Sequence, residues 1–67
     1  MSDIKYPEVE VELVGQDGNA FAVMARVSKA LRRASVAQQE IDEYLKESTS
    51  GDYDHLMATA TRWVTVH

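Results

Sequence analysis

Residues 50–55 hold the densest group of chemically active side chains in the sequence: two carboxylates, a phenol and an imidazole. Asp52, Asp54 and His55 could together perform general acid–base chemistry or bind a metal ion. The two aspartates are also typical helix N-caps, because a carboxylate accepts hydrogen bonds from free N–H groups at a helix start. The cluster offers two metal ligands and no obvious third, so the pattern favours capping over a small enzyme or metal site.

A basic stripe is the second candidate site. It contains four of the seven basic residues, namely Arg26, Lys29, Arg32 and Arg33. Such a stripe could contact the phosphates of a nucleic acid or the acidic surface of a protein. The net charge of −4 disfavours nucleic acid, because phosphate neutralisation supplies most of that affinity. Nucleic-acid binding therefore stands as an alternative to protein binding.

An acidic strand is the third candidate. Between residues 8 and 13, glutamates alternate with apolar residues, as expected for a strand with one buried face and one charged face. The glutamates are Glu8, Glu10 and Glu12, and the apolar residues are Val9, Val11 and Leu13. Three carboxylates in a row could receive a basic partner or a cation. A charged face also protects a strand against edge-to-edge aggregation, and that interpretation is favoured.

Three helices are predicted after this strand. A turn over residues 15–19 leads into an amphipathic helix over 20–34, with Asn19 as its N-cap. The second helix is predicted over about 37–47, and the third begins after Asp52 or Asp54.

Ser35 is predicted to start the second of these helices. With Gln38 three residues later, it matches the capping-box pattern.

The last residues are ambiguous between strand and helix. Several β-branched residues favour a second strand over residues 62–66, and the first strand needs a partner for its backbone groups. The alternative is a longer third helix, with the first strand pairing across a dimer. Trp63 is expected in the core or at a dimer contact, and it becomes an interaction candidate if it is exposed.

The predicted fold class is α+β, a small single domain of order β-α-α-α-β with a two-stranded sheet packed against three helices. Residues 1–7 are predicted to be a flexible lead-in, and residues 8–67 the domain. The chain has no cysteine and no apolar run of about 20 residues, which favours a cytoplasmic location without membrane contact. No cofactor is predicted, since the glycines at 15 and 18 lack the other residues of a phosphate-binding loop.

Three strings resemble the signature of a family of short bacterial proteins, of no established function, that are often carried on phages and other mobile elements. They are DGNAF at residues 17–21, SGDYDHL at 50–56 and RWV at 62–64. The resemblance extends from Val9 to Val66 and implies a bacterial or phage origin, but no activity. Ser35 stands where that pattern usually has glycine, which implies a capping role or a strained helix end.

A small non-enzymatic accessory or protein-interaction module is the function that these observations favour. A chain this short buries only about 60% of the surface that it exposes when unfolded, which leaves little room for a preorganised active site. Its strand edges and opposed charged faces suit binding to another protein or to a second copy. No small-molecule ligand is evident from the sequence.

Overall fold

The computed structural model describes residues 4–13 and 19–67. The element order is β-α-α-α-β, with a two-stranded sheet and three helices, as the sequence predicts. The elements are β1 (Tyr6–Val11), α1 (Ala20–Arg33), α2 (Gln38–Ser48), α3 (Tyr53–Trp63) and β2 (Val64–Val66). Apart from Asn19, the turn predicted over residues 15–19 lies outside the described residues. Within the described ranges, no helix has the length and apolar character needed to cross a membrane.

The two strands pair in parallel, so the chain must cross the sheet through all three helices before β2 can form. Glu10 pairs with Thr65 and Val11 with Val66. The pairing continues past Val11, because the Leu13 N–H donates to the His67 carbonyl at 2.8 Å. The sheet therefore joins the two ends of the described chain.

β1 begins at Tyr6, earlier than the predicted start at Glu8. Tyr6 pairs with Val64 and Glu10 with Thr65, so β1 advances four residues while β2 advances one. Pro7 lies inside this irregular stretch, where a residue without an N–H is tolerated. Its carbonyl accepts a hydrogen bond from Thr65 Oγ1 at 2.8 Å, which ties the irregular stretch to β2.

The apolar face of β1 packs against the apolar faces of the helices, as the alternation and the helical periodicities predict. The fully buried side chains include Val23, Val27 and Leu31 of α1 and Ile41 and Tyr44 of α2. Asn19 caps α1 as predicted, since its Oδ1 accepts the Ala22 N–H at 3.0 Å.

Ser35 does not start α2, and the predicted capping box is wrong. The N-cap of α2 is Ala37, without a side-chain hydrogen bond. Ser35 instead ends α1 in the left-handed region, with φ of 65°. The Ser35 N–H donates to Arg32 O and the Val36 N–H to Leu31 O, which is the Schellman pattern. A non-glycine residue in this region strains the backbone, and a strained helix end is one of the two roles that the resemblance implies for Ser35.

Replacement of Ser35 by glycine tests this strain. Glycine adopts positive φ without a steric cost, so Ser35→Gly should raise the free energy of unfolding by about 1 kcal/mol. Ala34→Gly is the matched control, because Ala34 has an ordinary φ of −85° and glycine there only adds chain entropy to the unfolded state. Urea denaturation of both variants measures the difference. An equal loss of stability in the two variants would contradict the assignment of backbone strain to Ser35.

The helix and strand interpretations of the last residues each hold for part of that segment. Arg62 and Trp63 belong to α3, and the strand begins only at Val64, two residues later than predicted. Trp63 is 5% exposed because its ring lies against two tyrosines in the core. The Trp63 centroid lies 5.6 Å from that of Tyr44, edge to face, and 6.0 Å from that of Tyr6.

Charged groups surround this aromatic cluster and hold the start of β1 against α2. Lys5 Nζ lies 4.2 Å from the Trp63 ring centroid and 2.7 Å from Glu40 Oε1. The Tyr6 hydroxyl donates to the same Glu40 oxygen at 3.0 Å. The hydrogen bonds from Lys5 and then Tyr6 lower the pKa of Glu40, and the bond to Glu40 raises the pKa of Lys5. Trp63 Nε1 donates to Glu47 at 3.3 Å.

Two tyrosines of the cluster differ in how their hydroxyls are satisfied. The Tyr6 hydroxyl is hydrogen-bonded to Glu40. The Tyr44 hydroxyl is buried near the Ser48 hydroxyl, and neither has a hydrogen-bond partner of adequate geometry within the described residues. Burial also raises the pKa of Tyr44, which keeps the phenol neutral.

Removal of the Tyr6 hydroxyl and removal of the Tyr44 hydroxyl should therefore have opposite effects on the stability of the fold. Tyr6→Phe loses a charge-assisted hydrogen bond and should lower the free energy of unfolding by about 1 kcal/mol. Tyr44→Phe removes a desolvated group and should leave stability unchanged or raise it by up to about 1 kcal/mol. Thermal and urea unfolding of the two variants compare them directly. A loss for Tyr44→Phe as large as that for Tyr6→Phe would contradict the structure.

Candidate protein-interaction site

One edge of β1 is open in the described part of the chain, since the sheet consists of β1 and β2 alone. The Val11 carbonyl and the Leu13 N–H both bond to His67 on the β2 side. Neighbouring residues of a strand direct their backbone groups to opposite edges. The N–H and C=O groups of Glu10 and Glu12 therefore point away from β2, toward the open edge.

A groove of about 560 Å³ runs along this open edge and separates it from α1. We refer to it as the β1 groove. Its strand wall is formed by Glu10, Val11 and Glu12, and its helix wall by Ala22, Ala25, Arg26, Lys29, Ala30 and Arg33. A smaller depression of about 290 Å³ adjoins it, shares Glu10, Ala30 and Arg33 with it, and reaches Glu8.

The basic residues of the groove are exposed and have no acidic partner among residues 4–13 and 19–67. Arg26, Lys29 and Arg33 form no ion pair or side-chain hydrogen bond with any other described residue. They are separated along α1 by three and four positions, which places them on one flank of the helix. Their charges are therefore available to a bound molecule.

The structure brings together most of the residues that the sequence singles out. Glu10 and Glu12 line the strand wall of the β1 groove, Arg26, Lys29 and Arg33 line its helix wall, and Glu8 lies in the adjoining depression. Glu10 also lies 3.6 Å from His67 Nε2, a contact that becomes an ion pair when the imidazole is protonated. The residues that sequence reasoning treats as separate basic and acidic surfaces are the two walls of one groove.

Two of the predicted interaction residues lie elsewhere. Arg32 is exposed on α1 but does not line the groove. Trp63 is buried in the core, where its ring packs against Tyr6 and Tyr44. The burial of Trp63 matches the core interpretation of this residue.

The Asp52, Asp54 and His55 cluster forms the start of α3. Asp52 is the N-cap, and its Oδ1 accepts the His55 N–H at 2.9 Å. Asp54 is exposed in the first turn. His55 Nε2 lies 2.9 Å from the Glu47 carbonyl oxygen and 3.0 Å from Ser50 Oγ, at the end of α2. These contacts are the capping arrangement that the sequence favours.

Gly51 lets the His55 side chain approach the backbone closely. A Cβ at position 51 would lie 2.8 Å from both Cβ and Cγ of His55. The glycine in this motif therefore has a packing role. Over residues 4–13 and 19–67, no three His, Asp or Glu side chains are placed to hold a metal ion together.

Phe21 is the exposed residue that sequence reasoning missed. It is 82% exposed and borders an apolar pocket of about 280 Å³ between the start of α1, the end of α2 and the start of α3. The helical periodicity places position 21 off the apolar stripe of α1, and that signal was available in the sequence.

No protein-family profile, curated protein sequence or solved structure matches this chain. Its function therefore has to be inferred from the geometry of the β1 groove. The resemblance to short bacterial and phage proteins stays a prediction.

The groove cations should contribute little to folding, because none of them has a partner in the described structure. The triple variant Arg26→Gln, Lys29→Gln and Arg33→Gln should change the free energy of unfolding by no more than about 0.5 kcal/mol per site. Circular dichroism and urea denaturation measure this change. A loss of several kcal/mol would show that the cations stabilise the fold, and would contradict their assignment to binding.

Proposed function

We propose that this protein is a small non-enzymatic interaction module that binds an extended segment of a partner protein by adding it to the open edge of β1. The observation that carries the proposal is that edge itself, with the backbone groups of Glu10 and Glu12 directed into the β1 groove. In strand addition, main-chain hydrogen bonds provide affinity and the flanking side chains provide specificity.

The size of the sheet supports the proposal. Parallel strands are usually found in larger sheets, and an isolated pair of strands has marginal stability on its own. Here a parallel pair has helices on one face and the free edge of β1 at its side. A third strand would satisfy the outward backbone groups of Glu10 and Glu12 and would extend the sheet beneath α1.

The shape of the groove also suits a strand. Neighbouring strands lie about 4.8 Å apart, so an added strand would lie close beside β1, against the flank of α1. That flank has the small side chains of Ala22, Ala25 and Ala30. They leave room for the side chains of the incoming segment.

Nucleic acid is the alternative that the same cations raise. In the β1 groove, however, Arg26, Lys29 and Arg33 line one wall, and Glu10 and Glu12 belong to the other. A phosphate backbone along this edge would lie close to the carboxylates as well as to the cations, whereas a peptide carries both signs of charge. The mixed charge of the walls favours a protein partner. A bacterial or phage origin and a cytoplasmic location remain part of this proposal.

A proline at position 10 tests the strand addition. The Glu10 N–H points to the open edge, so Glu10→Pro removes one outward donor and leaves the pairing with β2 intact. Glu10→Gln is the matched control, because it removes the same charge and keeps the N–H. The probes are peptides selected from a random display library against the unmodified protein. We expect Glu10→Pro to weaken their binding by up to about tenfold relative to Glu10→Gln.

Amide hydrogen exchange gives a second measurement that does not depend on a variant. Bound peptide should slow exchange at the Glu10 and Glu12 amides more than at other exposed amides. Peptides that bind equally to Glu10→Pro and Glu10→Gln, and that slow exchange at neither the Glu10 nor the Glu12 amide of the unmodified protein, would overturn the proposal. So would a library that yields no binder while duplex or single-stranded nucleic acid binds at physiological salt.

A further inference from the structure

The walls of the β1 groove also define the chemistry of the segment that it accepts. We infer that the partner segment alternates in charge, with acidic or small side chains directed toward α1 and basic side chains on the opposite face. This inference rests on the proposed strand addition and specifies its partner.

The α1 wall determines which side chains the segment should carry on its inward face. Side chains of an added strand that point to the helical side of the sheet would meet Arg26, Lys29 and Arg33 between the small alanines. These three cations have no partner of their own in the described chain. Partial burial of an unpaired charge is costly, so the inward positions should supply carboxylates.

The outward face follows from the glutamates of β1. Glu10 and Glu12 are exposed on the face of the sheet that the helices leave open. Directly opposed side chains on neighbouring strands lie about 5 Å apart, where opposite charges attract and like charges repel. The outward positions of the segment should therefore be lysine or arginine.

A second copy of β1 does not meet these requirements. On the outer face it would place glutamate beside glutamate, and on the inner face it would offer Val9 and Val11 to the cations of α1. Both contacts are unfavourable, so the occupant is a different segment. Because successive side chains of a strand point to opposite faces, the two charges must alternate with a period of two.

Three synthetic peptides of identical composition test this period. In one, lysine and glutamate alternate singly; in the second they alternate in pairs; in the third they form two blocks. Only the first can place all its lysines on one face and all its glutamates on the other. Fluorescence titration at concentrations where each peptide is monomeric should show the first binding about tenfold or more tightly than the others, with an affinity that falls as salt increases.

A charge reversal on the protein tests which face of the bound segment contacts the α1 wall of the groove. The triple variant Arg26→Glu, Lys29→Glu and Arg33→Glu should lose affinity for the singly alternating peptide. It should gain affinity for a peptide in which the glutamates are replaced by lysine. Arg32→Glu is the control, because this cation lies on the same helix outside the groove and its reversal should change neither affinity. Urea denaturation confirms that both variants remain folded.

The outcomes separate this inference from the strand addition. Equal binding of the three peptides, weakened in each case by Glu10→Pro, would overturn the charge pattern and leave strand addition standing. Binding that Glu10→Pro does not weaken would overturn both. Tighter binding of the singly alternating peptide, together with the specificity change in the reversed variant, supports the inference.

Discussion

Parallel pairing between β1 and β2 is the constraint on which the other features of the molecule depend. The paired strands lie at the two ends of the described chain, so all three helices belong to the crossover between them. Helices that connect parallel strands pack on the sheet, and here the apolar faces of the three helices and of the strands form one hydrophobic core. The core, the aromatic cluster and the position of α1 beside β1 all follow from this connection.

The open edge is a second consequence of the same pairing. β2 occupies one edge of β1, and α1 lies along the other at a distance that leaves the β1 groove. Natural proteins protect exposed strand edges with charge, and Glu8, Glu10 and Glu12 provide such protection against association of identical copies. In the proposed strand addition, the same glutamates on the outer face of β1 and the cations of α1 on the helical side would select a segment of alternating charge. Protection and recognition would then use the same side chains.

The aromatic cluster explains why the boundary between α3 and β2 could not be read from the sequence. β-branched residues near the end of the chain favour a strand by local propensity, which correctly identifies β2. Trp63 nevertheless remains helical, because its indole fills the space between Tyr6 and Tyr44 and bonds to Glu47. Those partners are distant in sequence, so their packing is not visible in a local pattern. Ser35 shows a similar limit, since a capping-box spacing does not reveal that the residue already ends α1.

Local periodicity determined most of the fold by itself. Alternation identified β1 and its two faces, three-and-four spacing identified the buried stripe of α1, Asn19 marked the start of α1, and the pair Asp52 and Asp54 marked the start of α3. These signals depend on backbone geometry within a few residues, which every sequence displays directly. The candidate site was decided by the tertiary structure. The acidic strand and the basic helix were recognised separately, but only the packing of α1 beside the unpaired edge of β1 makes them the two walls of one groove.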